Sequence, residues 1–568
     1  MELVSVREIR PPRAASSGMV LGFGIGFLLF VGLLAYETQH LAMFARYPAW
    51  FGKPLFAHIY NPFAILWWIQ RIDPTAFFVL PMQHFRPVNP AVHRMVLDIL
   101  KHLEWGGGIA LVVGFILALL LDRPQRGSGL YGRAHFATAR ELERSTLRKA
   151  ETGIVLGQTK RGDLLIHGGT ENVLVLGPPG VGKTDGTAVT TLRGGWQSSA
   201  IVFDPADELR ARTIAARREL GPAFVFDPRD PQTARINVLA GVRPDDVDTV
   251  RSIMSAFVAD AADFAEIPEQ AKFFLSGAIE LATAVVLRVL ELGEPSLEAA
   301  ARYFYNPDYK NEAQFAEMLR DASRVAYVRE TGAKFTNMDP RLRSSIVATV
   351  TQRFDIFRTS GAANATSTSD FKPHLLRERA ATIYLVVREA DQTEYAPLMR
   401  MVLTWLLGNL TATIPPADAR PILLLLDEFP LLRAPVIEQK LATMRKYRIV
   451  AMLLAQTLSQ IRKIYGQYES VTGTCDVTVF FATRDRLTQD YGVGLFGQTT
   501  KFAESVNRDG TSKTTRSVHE VGRPLLDAAD FAELAPEIVI AKKGEPPIRT
   551  RPVLARVDRR FNQFERSA

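Results

Sequence analysis

The residues best suited to chemistry lie in a short glycine-rich segment, residues 177–184 (GPPGVGKT), which satisfies the pattern G-x-x-x-x-G-K-[ST]. The backbone N–H groups of such a loop surround a polyphosphate, and the helix that follows adds the positive end of its dipole. Lys183 would reach the β- and γ-phosphates, and the Thr184 hydroxyl would ligate Mg²⁺. A chance match in a glycine-rich turn is the alternative, but a strand pattern before the segment and a helix pattern after it favour an ATP site. The predicted nucleotide-contacting residues are Gly177, Pro178, Pro179, Gly180, Val181, Gly182, Lys183, Thr184 and Asp185.

A second chemical signal is an acidic pair, Asp427 and Glu428, directly after the apolar run of residues 422–426. Acids at the carboxyl end of such a strand lie beside the phosphate loop in this kind of sheet. Asp427 would hold Mg²⁺ through water, which makes Thr184 and Asp427 the predicted metal residues, and Glu428 would polarise the attacking water. Alone, the pair could be the solvated start of a loop. Together with the upstream loop it predicts Mg²⁺-dependent ATP hydrolysis.

Two further polar positions fit a catalytic role. Gln456 ends the next strand pattern, where a neutral amide suits sensing of the γ-phosphate, although a polar cap of a strand gives the same letter. Arg445 and Arg448 lie in the basic connection before that strand. In a ring of subunits one of them could reach the neighbour's γ-phosphate as an arginine finger, an effect of roughly 10³–10⁵ in rate. The alternative is a solvated surface charge.

The elements that must position these residues follow from hydrophobic patterning. Apolar runs that alternate with helical stretches predict an α/β fold with a mostly parallel sheet covered on both faces. Residues 153–158 and 163–169 predict a hairpin that leads into the phosphate loop, and the polar tract of residues 504–518 predicts a mobile loop. The other predicted strands are residues 173–176, 200–203, 223–227, 382–387, 421–429, 449–456, 477–483 and 537–541.

Between residues 243 and 358 the strand patterns give way to helix-period patterns, which predict an all-α domain inserted in the sheet domain. The clearest helix, residues 269–292, is apolar enough to be mistaken for a membrane span. Its charged side chains argue against insertion, because each central charge costs roughly 2.5–3.5 kcal/mol on insertion scales. These charged residues are Lys272, Glu280, Arg288 and Glu291.

Two charge-free apolar segments, residues 18–36 and 105–121, could form helices of roughly 25–29 Å, close to the thickness of a bilayer core. Arginines precede the first segment and follow the second, so the positive-inside rule places both flanks in the cytoplasm and residues 37–104 outside it. A cleaved signal peptide is the alternative for the first segment, and a buried core helix for the second. We therefore expect a multi-pass protein of the bacterial inner membrane with a cytoplasmic nucleotide-binding part. The arginines are Arg7, Arg10, Arg13, Arg123, Arg126 and Arg133.

Length and composition limit the remaining possibilities. The chain has 568 residues, too many for one core, and a net charge of +8, which permits contact with nucleic acid or anionic lipid. One cysteine, Cys475, excludes an internal disulfide. The spacing of histidines, cysteines and acids gives no zinc pattern.

In the order of these features the chain resembles the TraG-type coupling proteins of conjugation and type IV secretion systems. The resemblance implies a hexameric, membrane-anchored ATPase with a RecA-like P-loop NTPase sheet domain and an inserted all-α domain. It also implies a relaxase–single-stranded DNA complex or protein effectors as cargo, and places Arg445 close to the family's trans-acting arginine. The segments that carry the resemblance are the N-terminal hairpin of two apolar segments, residues 131–138 (YGRAHFAT), the phosphate loop, and residues 203–209 (FDPADEL), 423–429 (LLLLDEF), 455–466 (AQTLSQIRKIYG) and 523–526 (RPLL).

Two positions depart from the pattern of that family. Ala206 and Asp207 stand where the family usually has Lys-Gly, which puts a role of this pair in nucleotide or substrate contact in doubt. The phosphate loop closes with Gly-Lys-Thr instead of the commoner Gly-Lys-Gly, and Thr184 provides a better Mg²⁺ ligand.

The predicted function is to recruit cargo and to drive it to a type IV secretion channel during conjugative DNA transfer. One alternative is a double-stranded DNA translocase of the chromosome-segregation type, against which no winged-helix pattern follows the motor. Another is a non-hydrolysing docking scaffold, against which the intact Lys183, Asp427 and Glu428 count. The predicted domains are a cytoplasmic tail (1–17), two transmembrane helices (18–36 and 105–121) around an extracytoplasmic loop (37–104), a connector and hairpin (122–170), a first nucleotide-binding part (171–242), the inserted all-α domain (243–358) and a second nucleotide-binding part (359–568).

Overall fold

The computed structural model describes residues 5–9, 17–44, 53–55, 59–73, 89–121, 129–259, 269–508 and 514–565. The chain forms two compact units, residues 1–133 with 500–523 and residues 134–499 with 524–568. The strands are β1 (Ser5–Ile9), β2 (Ile154–Gln158), β3 (Leu164–His167), β4 (Val173–Leu176), β5 (Ser199–Asp204), β6 (Ala223–Phe226), β7 (Thr382–Val386), β8 (Ile422–Leu426), β9 (Ile449–Ala455), β10 (Val477–Phe480), β11 (Gln498–Arg508), β12 (Thr514–Pro524), β13 (Ile538–Lys542) and β14 (Ile548–Thr550).

Helices connect most of these strands. After the phosphate loop comes a helix of wide, π-type turns, Thr184–Val189 and Thr191–Gly195, which we call the loop helix. The α-helices are α1 (Ser17–Phe44), α2 (Ala64–Ile72), α3 (Pro90–Leu121), α4 (Ala139–Arg144), α5 (Thr146–Lys149), α6 (Glu208–Leu220), α7 (Val247–Val258), α8 (Glu269–Glu291), α9 (Leu297–Phe304), α10 (Glu312–Ala322), α11 (Ala326–Thr336), α12 (Pro340–Phe354), α13 (Ser360–Ala365), α14 (Leu375–Glu378), α15 (Gln392–Leu410), α16 (Pro435–Leu441), α17 (Leu458–Tyr465), α18 (Val471–Thr474), α19 (Arg486–Phe496) and α20 (Ala528–Ala532).

The larger unit is built on a nine-stranded sheet in the order β14-β13-β10-β4-β9-β8-β5-β7-β6. All neighbouring pairs from β10 to β6 are parallel, and β13 and β14 are antiparallel additions at one edge. Strands β4, β5, β8 and β9 are buried along their whole length, as expected of apolar strands in a parallel sheet. Each of the eight strands predicted for this sheet is present, as is the antiparallel hairpin of β2 and β3.

The register of the parallel strands brings their carboxyl ends to one edge. Leu176 at the end of β4 pairs with Ala455 at the end of β9, and Leu426 at the end of β8 pairs with Phe203 of β5. Ligands of open α/β sheets bind at this edge. The phosphate loop, Gln456 and the acidic pair therefore start side by side.

Successive side chains of the strands point into two apolar layers, one on each face of the sheet. Leu174 and Leu176 lie in a layer shared with helices α7, α8 and α15. Val173 and Val175 lie in a second layer, shared with the hairpin β2–β3, the loop helix and residues near the end of the chain. Full burial of such a side chain stabilises the fold by roughly 1.5–3 kcal/mol. The prediction of a sheet covered on both faces is confirmed.

Between β6 and β7 the described residues form helices and turns, which agrees with the predicted helical block. Its central helix, α8, is packed on several sides by α7, α9, α11 and α12. This block belongs to the same compact unit as the sheet, so its limits as a separate domain, residues 243–358, stay a prediction.

In the smaller unit, α1 and α3 pack as an antiparallel hairpin, because residues later in α1 contact residues earlier in α3. Gly22 lies against Ala118, and Leu33 lies against Gly106. A Cβ atom at Gly22 would be 2.4 Å from the backbone nitrogen of Ala118, so this close approach requires glycine. Both helices are longer than the predicted spans.

The prediction of a mobile loop is wrong for residues 504–508 and 514–518, whereas residues 509–513 of the predicted loop lie outside the described residues. The described part of this tract belongs to β11 and β12, which form a three-stranded sheet with β1 in the order β1-β11-β12. The polar composition of the tract predicts a loop, but threonine and valine, which it contains, favour extended backbone regardless of charge. Strand β1 itself lies in the tail for which no strand was predicted.

Candidate active site

The phosphate loop leaves β4 at Gly177 and turns back through two glycines with left-handed backbone. Gly180 has φ 80° and Gly182 has φ 87°, a region that glycine enters without steric cost. The turn delivers Lys183 and Thr184 to the start of the loop helix, which begins at Thr184.

The two motifs, far apart in sequence, meet in one site. Lys183 Nζ lies 2.5 Å from Glu428 Oε1, and these side chains are only 8% and 13% exposed. The Thr184 hydroxyl donates to Asp427 Oδ2 at 3.3 Å. The structure therefore brings together the lysine, the hydroxyl and the acidic pair that the sequence predicted to act on one ligand.

The acidic pair is held by the sheet and by its own backbone. The Asp427 N–H donates to the Phe203 carbonyl at 3.1 Å, which continues the pairing of β8 with β5. Glu428 has φ 44° and ψ 46°, a left-handed conformation that costs a non-glycine residue roughly 1–3 kcal/mol. Its buried Oε2 atom accepts no hydrogen bond. A carboxylate oxygen held there is available to water or to a cation.

Burial changes the protonation of the carboxyl groups at this edge. Loss of solvent raises the pKa of Asp427 to about 7; the Lys183 charge opposes that rise, and Glu428 adds to it. Burial likewise raises the pKa of Asp204 to about 6, although backbone N–H groups, including that of Arg210, bind its carboxylate. A divalent cation near Asp427 would favour its ionised form.

Asp204 is a residue of this edge that sequence reasoning did not select. It ends β5, the neighbour of β8, and its charge contributes to the raised pKa of Asp427. Its position directly after an apolar strand, in the segment FDPADEL, was the available signal.

The side chains fit a Mg²⁺ ion held jointly by protein and nucleotide. Thr184 and Asp427 offer hard oxygen ligands, as Mg²⁺ requires. Within the described residues there is no group of three or more His, Cys, Asp or Glu side chains that would hold a metal ion by itself. Mg²⁺ in nucleotide sites is usually bound in this way, by one or two protein groups plus phosphate oxygens.

Gln456 and Arg445 lie at opposite ends of β9. Gln456 follows its carboxyl end, and its backbone N–H donates to Gln460 Oε1 at 3.2 Å. Arg445 lies in the turn Met444–Tyr447 before the amino end of β9. The length of this strand separates Arg445 from its own phosphate loop by about 20 Å. The role of Gln456 in sensing phosphate and the role of Arg445 in trans stay predictions.

Asp185 is placed differently from the other loop residues. Its carboxylate pairs with the guanidinium of Arg212 on α6, and its second oxygen lies 3.8 Å from Arg556 Nε. Its side chain therefore faces α6 and the end of the chain, and its backbone remains as the part that could serve a phosphate.

With this geometry, the comparisons with known proteins identify the family. Residues 135–562 match the family described as "Type IV secretory system Conjugative DNA transfer", over more than half of the chain. The chain belongs to this family. The match begins after the second long apolar helix and ends just beyond the sheet.

Individual relatives agree with this membership. The chain is similar to protein VirD4 of Rhizobium rhizogenes, with 28% identity over 489 residues, which cover 80% of this chain and 70% of the relative. It is 24% identical over 405 residues to the conjugal transfer protein TraG of Rhizobium radiobacter, covering 67% of this chain and 61% of the relative. The resemblance to TraG-type coupling proteins is thereby confirmed.

Solved structures show the same fold. The bacterial conjugative coupling protein TrwBdeltaN70 has a TM-score of 0.56 at 17% identity, over 77% of this chain and 98% of that structure. The plasmid coupling protein TrwB in complex with ADP and Mg²⁺ has a TM-score of 0.56 at 15% identity, over 77% of this chain and 99% of that structure. The predicted α/β fold of the nucleotide-binding part is confirmed by these coupling-protein structures.

Proposed function

We propose that this coupling protein is a membrane-anchored ATPase that drives a relaxase–single-stranded DNA complex, or a protein substrate, to a type IV secretion channel. The observation that carries the proposal is the contact of Lys183 with Glu428, beside that of Thr184 with Asp427. Membership of the DNA-transfer family supports the cargo class. The TrwB complex with ADP and Mg²⁺ supports the cofactors.

The contact between Lys183 and Glu428 suggests how nucleotide binding prepares hydrolysis. Without nucleotide the ammonium group and the carboxylate neutralise each other. An arriving γ-phosphate competes with Glu428 for Lys183. Once Lys183 binds the phosphate, Glu428 is free to accept a proton from the attacking water. Mg²⁺ held at Thr184 and Asp427 would neutralise charge on the β- and γ-phosphates.

A homo-hexameric ring would complete this site. Arg445 lies at the amino edge of its own sheet, so it can act on a nucleotide only if that edge faces the carboxyl edge of a neighbour. Gln456, between the phosphate loop and the acidic pair, is positioned to report γ-phosphate loss. Together these residues would couple hydrolysis in one subunit to movement of the next.

The pairing of β1 with β11 supports a membrane hairpin. β1 lies before α1, and β11 follows the nucleotide-binding sheet in the chain, yet the two strands are hydrogen-bonded. Strands β1 and β11 therefore lie on one side of any membrane that α1 and α3 cross. The third long apolar helix, residues 271–291, is 61% buried in its most apolar window, against 22% for the other two, so we place it in the cytoplasmic motor.

The proposal is tested with Lys183→Ala in the full-length protein. We expect loss of ATP turnover by at least about a hundredfold, since the variant lacks the group that binds the transferred phosphate. Transfer of DNA between cells should be lost as well, while the amount of protein in the membrane is unchanged. The control is Lys310→Ala, an exposed lysine between α9 and α10 in the helical block.

Two outcomes would contradict the proposal. Wild-type transfer by Lys183→Ala would leave a docking scaffold that does not need hydrolysis. Turnover stimulated by duplex DNA and not by single-stranded DNA would favour a double-stranded DNA translocase.

A further inference from the structure

A segment near the end of the chain, residues 551–561, runs across the phosphate loop and the loop helix; we call it the C-terminal strap. The side chains of successive strap residues point alternately toward the apolar layer of the sheet and away from it. Val553 and Ala555 are fully buried beneath the sheet, whereas Leu554 is half-buried and Arg556 is mostly exposed. The strap therefore presents one row of side chains to the side where a nucleotide would lie.

Hydrogen bonds fix the strap at both ends. The Arg551 carbonyl accepts from the Gln158 N–H at 2.9 Å, next to strand β14. The Phe561 carbonyl accepts from Arg193 Nη1 of the loop helix at 2.7 Å, and the Phe561 ring is buried. Leu554 and Arg556 are thus held in place by the residues on either side of them.

The middle of the strap touches the phosphate loop itself. Leu554 Cδ2 lies 3.3 Å from the position that a Cβ atom would take at Gly182, and Pro552 Cβ lies 3.0 Å from that position at Gly186. The carboxylate of Asp185, between these glycines, has Arg556 Nε at 3.8 Å. The strap therefore covers the chain on both sides of Lys183 and Thr184.

The geometry of the loop shows which part of a nucleotide would meet the strap. In the proposed nucleotide site the γ-phosphate would lie at Lys183, which now contacts Glu428. The residues after Thr184 are where the α-phosphate leaves the loop, because the backbone of such a loop cradles the α- and β-phosphates in turn. The nucleoside must extend from there, past Asp185 and Gly186, toward the strap.

We propose that Leu554 and Arg556 form the nucleoside subsite of this coupling protein. Leu554 supplies an apolar contact to the base, and the planar guanidinium of Arg556 stacks on it. Asp185 positions Arg556: one carboxylate oxygen pairs with Arg212, and the other, which accepts no hydrogen bond, faces Arg556. This inference rests on the proposed nucleotide site and adds to it the residues that recognise the nucleoside.

The test compares ATP with inorganic tripolyphosphate, which has the phosphates but no nucleoside, by calorimetry on the full-length protein with Mg²⁺. For Leu554→Ser and Arg556→Gln we expect the Kd for ATP to rise about tenfold, as for loss of one well-packed contact, and the Kd for tripolyphosphate to stay unchanged. Lys183→Ala should weaken both ligands. The matched controls are Val557→Ser and Arg559→Gln, exposed residues of the same strap.

The other outcomes overturn the inference. Equal weakening of both ligands by the strap variants would mean that the strap only supports the phosphate loop. An unchanged Kd for ATP would mean that the nucleoside lies elsewhere. If the wild-type protein binds neither ligand, the nucleotide site itself fails, which separates that failure from failure of the subsite. Unchanged melting temperatures of the variants show that folding is intact.

Discussion

At the scale of residues, three carboxyl groups, Asp204, Asp427 and Glu428, share one edge of the sheet with the ammonium group of Lys183. Burial raises the pKa of two of these acids, Asp204 and Asp427, and the charges of Glu428 and Asp204 add to the rise at Asp427. A bound divalent cation would shift the balance to the ionised forms. The negative charge of this site is thus balanced only when a cation is bound. Sites of this kind, which lower stability in favour of function, are usual in proteins.

The raised pKa of Asp427 predicts how stability depends on pH. Its pKa is about 7 in the folded protein and 3.8 ordinarily. Between these values the folded protein holds a proton that the unfolded chain has released, so the free energy of unfolding falls as pH rises through this window. We expect Asp427→Asn to flatten this fall in melting temperature and to stabilise the nucleotide-free protein above pH 7.

The control for this experiment is Asp490→Asn, at an exposed carboxylate on α19 that pairs with Arg486. Melting temperatures are measured by calorimetry from pH 4 to pH 8. An identical slope in Asp427→Asn and the wild type would show that Asp427 titrates normally. Asp204 contributes a similar trend over a narrower range, because its pKa is about 6.

At the scale of elements, the turn between β5 and α6 explains one departure from the family pattern. Asp207, where the family usually has glycine, adopts φ 58° and ψ 18°, and its carboxylate pairs with Arg210 on the first turn of α6. Aspartate enters this left-handed region more readily than most residues, because its short polar side chain can form local hydrogen bonds. Asp207 therefore adopts the same left-handed turn that a glycine would form. The departure of Ala206 and Asp207 from the family pattern changes the side chains available for nucleotide or substrate contact, and not the path of the backbone.

This turn makes a prediction about three substitutions. Asp207→Ala should lower the free energy of unfolding by about 1–2 kcal/mol, since alanine has neither the freedom of glycine nor the ion pair. Asp207→Gly should be nearly neutral, because it loses the ion pair but removes the backbone strain. Glu219→Ala, at an exposed position later in α6, is the control. Urea unfolding measures all three, and equal effects of alanine and glycine at position 207 would contradict the backbone explanation.

At the scale of the whole molecule, the proposed membrane hairpin would begin and end on the same side of the membrane. The strand pairing of β1 with β11 requires an even number of crossings between residues 9 and 500. In the proposed topology the two long helices α1 and α3 would supply them, whereas α8 is covered by other helices of the larger unit.

Cysteine labelling checks this topology. Cys475 is buried, so the native chain should resist a membrane-impermeant maleimide. Leu55→Cys, at an exposed position between α1 and α2, should be labelled in cells with a permeable outer membrane. Val557→Cys, exposed on the C-terminal strap, should be labelled only after the inner membrane is broken. Labelling of both variants in intact cells would exclude the hairpin.

The sequence alone predicted the phosphate loop, the acidic pair and eight of the nine strands of the large sheet, because these signals are local. They are a glycine pattern around Lys183 and apolar runs such as the one that ends at Asp427 and Glu428. It missed β1, β11, β12 and the three-residue strand β14, because these polar or very short strands contain no apolar run. The partner of β1, strand β11, also lies almost 500 residues away in the chain. It also missed Asp204 and Leu554.

Only the tertiary structure decided those assignments. Whether a residue such as Asp204 belongs to the site depends on the strand beside it, and whether Leu554 covers the phosphate loop depends on the path of the chain end. The local sequence determines which groups can react, because the type of each residue sets its side-chain chemistry and its backbone freedom. Long-range packing determines which of these groups lie together in one buried site. The segments that carry them are far apart in the sequence and meet only in the folded chain.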